Sequence, residues 1–470
     1  MKPLYKTILL GLIATFFGGC KKLIQISPPS NTVVTNQVFS ADAEATSAMS
    51  GIYSSMANGY LTFSNSGVTI LCGLSADELS VLDLSQQDNA QFQQNALVSN
   101  NDHIQILWSQ LYSAIYGANA MIEGLTGYSG VHDSVKNELT GEAEFIRAFC
   151  NFYLVNLFGD VPLITTANWR NTTLSLRTPA SQVYEAIISD LTDAEIRLST
   201  DYSVAGGQRI VPTKWAAQAL LARVYLYMGN WPNAKAEADS VIANSGMYQL
   251  DSLNGVFLAN SQESIWQLQP NDQNSPFNAT EEGSLIIPFD NNTQPFVTLD
   301  SSLLISFETG DNRRLLWLDS TNYNNAEYYY PYKYKVGPAQ GIPGAPVTEY
   351  YMVLRLAEQY LIRAEAEANG AGGGQQAAIS DLDIIRARAG LSDYGGALIK
   401  DSVLAAILHE RQIELFAEWG HRWFDLKRIG IATATLTTNK NLPVGGNALL
   451  YPIPIYDIKT DPNLTQNPGY

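Results

Sequence analysis

Long helical segments with only short turns between them are the feature that most restricts how this chain can fold. Residues 213–228 and 233–242 carry apolar side chains at three- and four-residue spacing and are separated only by the turn 229–232. Residues 354–369 and 375–389 form a similar pair around a Gly-rich turn. This spacing predicts amphipathic helices, and a short turn between two of them predicts a helix hairpin. The same pattern predicts further helices at 41–56, 104–125, 138–157, 183–198 and 402–419.

The hairpin at 213–242 also fits the 34-residue tetratricopeptide pattern. Ala222 and Ala234 stand where small side chains let the two helices approach closely. Tyr225 stands where an aromatic ring fills the space between hairpins, Gly229 at the turn and Val241 at an apolar position. The predicted fold class is therefore mainly α, with a tetratricopeptide-type scaffold of helical hairpins.

Two stretches interrupt the helices. Residues 59–101 are polar around a short apolar run at 68–74, and residues 251–349 contain short strand-like runs between Asn, Gly and Pro turns. A structureless loop of that length is uncommon inside a compact domain, so 251–349 is interpreted as an irregular subdomain of loops and short strands. Binding residues concentrate on such segments, and both stretches are predicted to be ligand-binding insertions on the scaffold.

The N-terminus is typical of a lipoprotein. Lys2 and Lys6 precede the apolar run 8–17, which ends in Gly-Gly before Cys20. The run is too short to cross a bilayer, so residues 1–19 are interpreted as a signal peptide. Cys20 is the predicted lipidation site, and residues 20–38 are the predicted tether between the lipid and the domain. The alternative is a buried N-terminal helix.

The amino-acid composition restricts the kinds of partner that the protein can bind. The chain has 28 Lys and Arg against 45 Asp and Glu, a formal net charge of −17, and charged residues make up only 16% of it. Without clustered basic side chains no nucleic-acid partner is expected. A low charge density with many Asn, Gln and Tyr side chains favours a neutral polar ligand such as a glycan.

Several distinctive motifs follow one another along the chain. They include GEAEFIRAFCNFYLVNLFGDVPL at 141–163, ALLARVYLYMGNW at 219–231, VLRLAEQYLIRAEAE at 353–367, ERQIELFAEWGHRWFDLKRIG at 410–430 and QNPGY at 466–470. With the lipoprotein start, these motifs resemble those of the SusD/RagB-like nutrient-binding outer-membrane lipoproteins of Bacteroidetes. The resemblance extends from one end of the chain to the other.

The resemblance implies one SusD-like domain at 39–470. Its helical scaffold would comprise residues 39–58, 102–250 and 350–430, with variable insertions at 59–101 and 251–349 and a tail at 431–470. It further implies a non-enzymatic protein, lipid-anchored at the outer membrane and facing the cell exterior. Such a protein captures an oligosaccharide or polysaccharide fragment for a SusC-like TonB-dependent transporter. The alternatives are a helical scaffold that binds a peptide or protein, and an enzyme such as a glycosidase.

The candidate ligand residues follow from the chemistry of sugars. Aromatic faces stack on the C–H face of a sugar ring, and amide or carboxylate side chains bind its hydroxyls. Side chains of these kinds lie in both insertions, where packing roles are the alternative. By location the candidates are Gln87, Asn89, Phe92, Trp317, Tyr323 and Tyr328. Trp266 lies in an alternating strand pattern and is predicted to be in the core.

The remaining charged, metal-binding and cysteine patterns are better explained by structural roles than by catalysis or cofactor binding. The charged residues of 410–428 repeat at three- and four-residue steps, which predicts ion pairing along a helix rather than acid–base catalysis. No catalytic residue, metal ligand or cofactor is predicted. Oxygen-bearing side chains around Asp290 and Asp319 would suit a structural Ca²⁺, but Asx turns are the favoured interpretation. Cys150 lies in a helical pattern beside Phe149 and Phe152 and is expected to be a buried free thiol, with a disulfide to Cys72 left open.

Overall fold

The computed structural model describes residues 35–470. The signal peptide, Cys20 and residues 20–34 of the tether lie outside this range; residues 35–38 of the tether form a short helix. No helix of the described part is long and apolar enough to cross a membrane. The helices are α1 (Thr35–Val38), α2 (Asp42–Ala57), α3 (Val68–Ser75), α4 (Gln87–Gln93), α5 (Asp102–Gly127), α6 (Asp133–Phe158), α7 (Trp169–Thr172), α8 (Ala180–Arg197), α9 (Lys214–Tyr227), α10 (Trp231–Ala243), α11 (Glu281–Ile286), α12 (Ser301–Leu304), α13 (Asn312–Leu316), α14 (Leu356–Ala368), α15 (Gly374–Arg388), α16 (Lys400–Glu414), α17 (His421–Arg428), α18 (Ala432–Lys440) and α19 (Ile455–Thr460).

The long helices form a continuous stack. In order, α5 packs on α6, α6 on α8, α8 on α9, and α9 on α10. The series continues across the long insertion, because α10 packs on α14, which packs on α15 and α16. Ala222, Ala234 and Val241 are completely buried where the α9–α10 hairpin closes, and Gly229 adopts a φ of +68° at its turn. The mainly α class and the hairpin scaffold are confirmed.

Short strands connect the insertions to this scaffold. The strands are β1 (Leu79–Ser80), β2 (Ser264–Leu268), β3 (Thr298–Leu299), β4 (Leu318–Tyr323), β5 (Ala326–Pro331) and β6 (Tyr351–Arg355), paired antiparallel as β1–β3, β2–β6 and β4–β5. Every residue of β2 and β6 is buried. Trp266 of β2 meets the rings of Phe145 and Phe149 edge-on at 5.0 and 5.3 Å, which confirms its place in the core.

Part of the first insertion, which is polar in sequence, lies in the core. Residues 61–79 are buried throughout, and they include a π-helix at Phe63–Gly67 that continues into α3. Some of their polar groups are satisfied locally, since the Ser64 hydroxyl donates to the Met56 carbonyl at 2.6 Å. A Cβ on Gly67 would meet the carbonyl oxygens of Leu61 and Thr62 at 2.6 and 2.7 Å, so only glycine fits there. This part of the segment therefore belongs to the core.

The helix predicted at 402–419 ends at Glu414. Ala417 and Trp419 have φ values of +50° and +47°, which no helix accommodates. Tertiary hydrogen bonds replace the helical ones, because the Trp419 indole donates to the Met352 carbonyl at 2.6 Å. Trp419 is nearly buried and Trp423 is completely buried.

The charged residues of 410–428 also pair differently from the prediction. Their partners lie on other elements, apart from the Asp425–Arg428 pair within α17. Glu410 and Glu414 bind Arg313 of the long insertion at 2.6 and 2.9 Å. These side chains are buried because α16 faces the insertion, so the prediction of pairing along one helix is wrong. The structural role that it assigned to these residues is confirmed.

The two cysteines lie in the core, and the C-terminal tail packs against it. Cys72 and Cys150 are buried free thiols. Tyr451 is completely buried, and the Asn467 amide donates to the carbonyls of Phe158 and Tyr451 at 2.8 and 2.7 Å. The tail thereby closes the C-terminal end of α6, where Gly159 has a φ of +75°.

Candidate functional site

The two insertions meet at a surface cleft. Pairing of β1 with β3 places the segment after β1 beside the segment before β3. The cleft between them has a volume of about 290 Å³, at the small end of ligand pockets. It is lined by Val81, Asp83, Gln86, Asn89, Gln294, Pro295 and Phe296.

One wall of the cleft is a chain of polar side chains. The Gln86 amide donates to the Asp83 carboxylate at 3.5 Å, and the Asn89 amide donates to the Gln86 carbonyl oxygen at 3.4 Å. Hydrogen bonds from the Ser85 hydroxyl and backbone N–H hold the pKa of Asp83 below its usual value, so this carboxylate stays ionised at neutral pH. The wall thus presents the acceptor oxygens of Asp83 at one end, followed by the side-chain amides of Gln86 and Asn89.

Asn89 carries the strongest sign of a ligand at this wall. The side chain is 4% exposed, and its Oδ1 atom is buried without a hydrogen-bond partner. A buried polar atom in this state costs roughly 1–3 kcal/mol relative to a satisfied one. A hydroxyl or amide donor entering the cleft would satisfy this oxygen.

Apart from Gln294, the remaining lining residues of the cleft are apolar. Pro295 and Val81 are buried, and Phe296 is half-buried with part of its ring available to the cleft. An aromatic ring in the same cleft as amide and carboxylate groups matches a sugar ring, which has an apolar C–H face and a polar rim. The arrangement offers binding groups but no nucleophile with an activating base.

The six predicted site residues separate into three groups. Asn89 lines the cleft, and Gln87 is exposed on the first turn of α4 next to it. Phe92 and Trp317 are completely buried. Phe92 packs edge-on against Tyr451 at 5.3 Å, and the Trp317 indole donates to the Leu253 carbonyl at 2.7 Å. These two aromatic residues were wrongly assigned to the ligand surface, because their contacts are those of the core.

Tyr323 and Tyr328 lie on the β4–β5 hairpin and are half-buried. The hairpin turns at Asn324 and Asn325, both with positive φ as a two-residue turn requires. Because β5 lies against β3, the hairpin adjoins the strand that follows the cleft. Neither tyrosine lines the cleft itself, and their role in binding stays a prediction.

The predicted site residues did not include Asp83, Gln86 or Phe296. Asp83 and Gln86 precede α4, so helical spacing from Asn89 does not reveal them. Phe296 has no local signal, because its position depends on the pairing of β1 with β3. The Asp290 loop is an Asx turn in which Asn292 N–H and the Thr293 hydroxyl donate to Asp290 Oδ1 at 2.8 and 2.9 Å.

Two further carboxyl groups lie together in a separate cavity. Glu138 and Glu142 are one turn apart on α6 and therefore share one wall. Glycoside hydrolysis requires carboxyl groups on opposite sides of the scissile bond, which this arrangement does not provide. Within residues 35–470 no cluster of three or more His, Cys, Asp or Glu side chains is placed to hold a metal ion.

A stack of helical hairpins that carries a polar and aromatic cleft on its insertions defines a helical-repeat scaffold with a surface binding site. Residues 36–226 match a family model described as "Starch-binding associating with outer membrane", and residues 316–447 match one described as "SusD family". The chain belongs to the SusD/RagB family.

Relatives of full length support this assignment. SusD-like protein P2 of Formosa agariphila is 27% identical over 99% of both chains. Among solved structures, a SusD superfamily protein of Bacteroides vulgatus is 24% identical with a TM-score of 0.77, covering 92% of this chain and all of that one. A protein described as a laminarin-binding SusD-like protein is 25% identical with a TM-score of 0.75, covering 91% of this chain and 99% of that one.

Proposed function

We propose that this protein is a non-enzymatic binding protein that captures an oligosaccharide or polysaccharide fragment in the cleft between its two insertions. The observation that carries the proposal is the unpartnered Oδ1 of Asn89 in the cleft that Phe296 also lines. The family supports a glycan ligand, since one matching model is described as starch-binding and one similar structure as laminarin-binding.

Neighbouring glutamines provide a matched pair of variants for the site. Gln86 lines the cleft and Gln87 does not, although both side chains are exposed and adjacent in sequence. We expect Gln86→Ala to weaken retention on native gels that contain laminarin or starch, and Gln87→Ala to leave it unchanged. Phe296→Ala should abolish retention, because it removes the stacking face. Equal retention of all three variants on a glycan that the unmodified protein binds would contradict the assignment of the cleft.

The proposal extends to the membrane and to a transporter. Lipidation at Cys20 would anchor the chain to the outer membrane, facing the exterior, and a SusC-like TonB-dependent transporter would receive the glycan. Replacement of Cys20 with Ala should release the protein from the membrane fraction, and affinity purification from detergent-solubilised membranes should recover the transporter. Incubation with a bound oligosaccharide should generate no new reducing ends. A stable peptide or protein partner with no glycan retained would favour a peptide-binding scaffold instead.

A further inference from the structure

A second cavity lies between α2, the N-terminal half of α6 and the loop that follows α8. Its volume is about 540 Å³, larger than that of the cleft at Asn89. Within residues 35–470 the two sites share no lining residue. The proposed glycan site therefore leaves this cavity without a role.

Most of its surface is apolar. Met49 and Leu139 are nearly buried at its base, at 1% and 3% exposed. Val135, Ile210 and Val211 are half-buried and complete the apolar walls. An apolar body of a small molecule would replace water at these walls and gain from the burial of its surface.

Two carboxyl groups interrupt this apolar lining. Glu142 is 4% exposed, and its Oε2 accepts a hydrogen bond from the Tyr53 hydroxyl at 2.6 Å. Glu138 accepts one from the Ser199 backbone N–H at 2.9 Å, and its other oxygen, Oε1, is buried without a partner. Among the described residues, no Lys or Arg lines the cavity to balance these groups.

Several other buried carboxylates of this protein are paired with arginines, as Glu358 is with Arg223 at 2.6 Å. At Glu138 and Glu142 the balancing cation is missing from the lining, and the unpartnered acceptor is Oε1 of Glu138. An ammonium group has three donors and no acceptor, which suits adjacent carboxylate oxygens. We propose that the cavity binds an organic cation, with its ammonium group between Glu138 and Glu142 and its apolar body against Met49, Leu139 and Val211.

The raised pKa values of Glu138 and Glu142 predict a pH dependence of cation binding that can be measured. Burial, with a smaller contribution from the negative charge of Glu138, raises the pKa of Glu142 to about 8. Burial and the nearby Asp201 raise the pKa of Glu138 to about 7. Tyr53 is the titratable group that faces them from α2, and its pKa is raised as well. A cation favours the ionised carboxylates, so binding at pH 7 should release protons and affinity should rise from pH 6 to pH 8.5.

The test compares phenethylamine with 2-phenylethanol, which has the same apolar body and no charge. Calorimetric titration of the full chain at pH 8 should show the amine binding at least about tenfold more tightly, as expected for charge-assisted hydrogen bonds. Glu142→Gln and Glu138→Gln should each remove most of that preference. Ser50→Trp, an exposed position at the rim, should block both compounds.

Glu281→Gln is the matched control, because Glu281 is a half-buried glutamate with a pKa raised to about 7 in a different cavity. It should leave phenethylamine binding unchanged. Equal binding of the amine and the alcohol, no binding of either, or no effect of Glu142→Gln in a variant whose thermal melting shows that it is folded would overturn the proposal. Glycan retention on native gels should be the same in Glu142→Gln as in the unmodified chain, so the outcome is independent of the proposed glycan site.

Discussion

Replacement of Glu414 by Gln should destabilise the protein severely, although the two side chains have nearly the same shape. Glu414 is completely buried at the C-terminal end of α16. Its carboxylate binds Arg355 at 2.5 Å, Arg313 at 2.9 Å and Arg388 more closely still. These arginines hold the pKa of Glu414 far below its usual value, even though burial alone would raise it. Glutamine would leave all three guanidinium groups with one fewer negative charge.

The magnitude follows from the geometry. Removal of one partner from a buried ion pair costs about 3–5 kcal/mol, because the remaining charge is left buried and uncompensated. Neighbouring acidic groups moderate this cost, since Glu410 and Asp311 still bind Arg313 and Glu263 still binds Arg355. We therefore expect a loss of about 4 kcal/mol in the free energy of unfolding. Lys235→Gln removes the partly exposed pair with Asp239 and should cost less than about 1 kcal/mol.

Urea unfolding followed by tryptophan fluorescence measures both variants, and its pH dependence tests the mechanism. A carboxyl group whose folded pKa is lowered stabilises the protein above its unfolded pKa, and this contribution is lost as the pH falls through the folded value. The difference between the unmodified chain and Glu414→Gln should be constant from pH 6 to pH 8 and should shrink below about pH 4.5. A loss no larger than that of Lys235→Gln would refute the reasoning, as would a difference that grows on acidification.

Three further predictions concern the core and the tail. Trp317→Ala should lower the free energy of unfolding by about 3–5 kcal/mol, because Trp317 is completely buried, and thermal melting will show this loss. Asn467→Ala removes the hydrogen bonds to Phe158 and Tyr451 and should cost about 1–3 kcal/mol by urea unfolding. Burial raises the pKa of the Cys72 thiol to about 12, so a thiol reagent at pH 8 should label Cys72 only after the chain is denatured; rapid labelling of the native protein would contradict its buried position.

The sequence was informative about the scaffold because helical periodicity is local. Positions such as Ala222, Gly229 and Ala234 serve the same hairpin that their spacing predicts. It was misleading at 415–420, where the apolar spacing continues but Trp419 makes its hydrogen bonds to β6 and α3 instead of to its own helix. Such a tertiary bond has no local signal, so the end of α16 could not be predicted.

The candidate site was predictable only in part for the same reason. Aromatic composition drew attention to the two insertions, but it cannot distinguish a ring that faces a ligand from one that fills the core. Trp317 and Phe92 are aromatic, as residues that stack on sugars are, but both are completely buried, as structural residues are. The cleft depends on the pairing of Leu79 with Leu299, which joins segments more than two hundred residues apart.

The charged motif near the C-terminus explains how so irregular a site is held in place. Arg422 on α17 binds both oxygens of Asp77 at 2.7 and 2.8 Å, just before β1. The Glu78 carbonyl then accepts a hydrogen bond at 2.8 Å from the backbone N–H of Asp300, directly after β3. Glu410 and Glu414 bind the long insertion in the same way through Arg313. The buried charges therefore connect both insertions to the helical scaffold, and a cleft fixed in this way would bind a ligand without first having to order its walls.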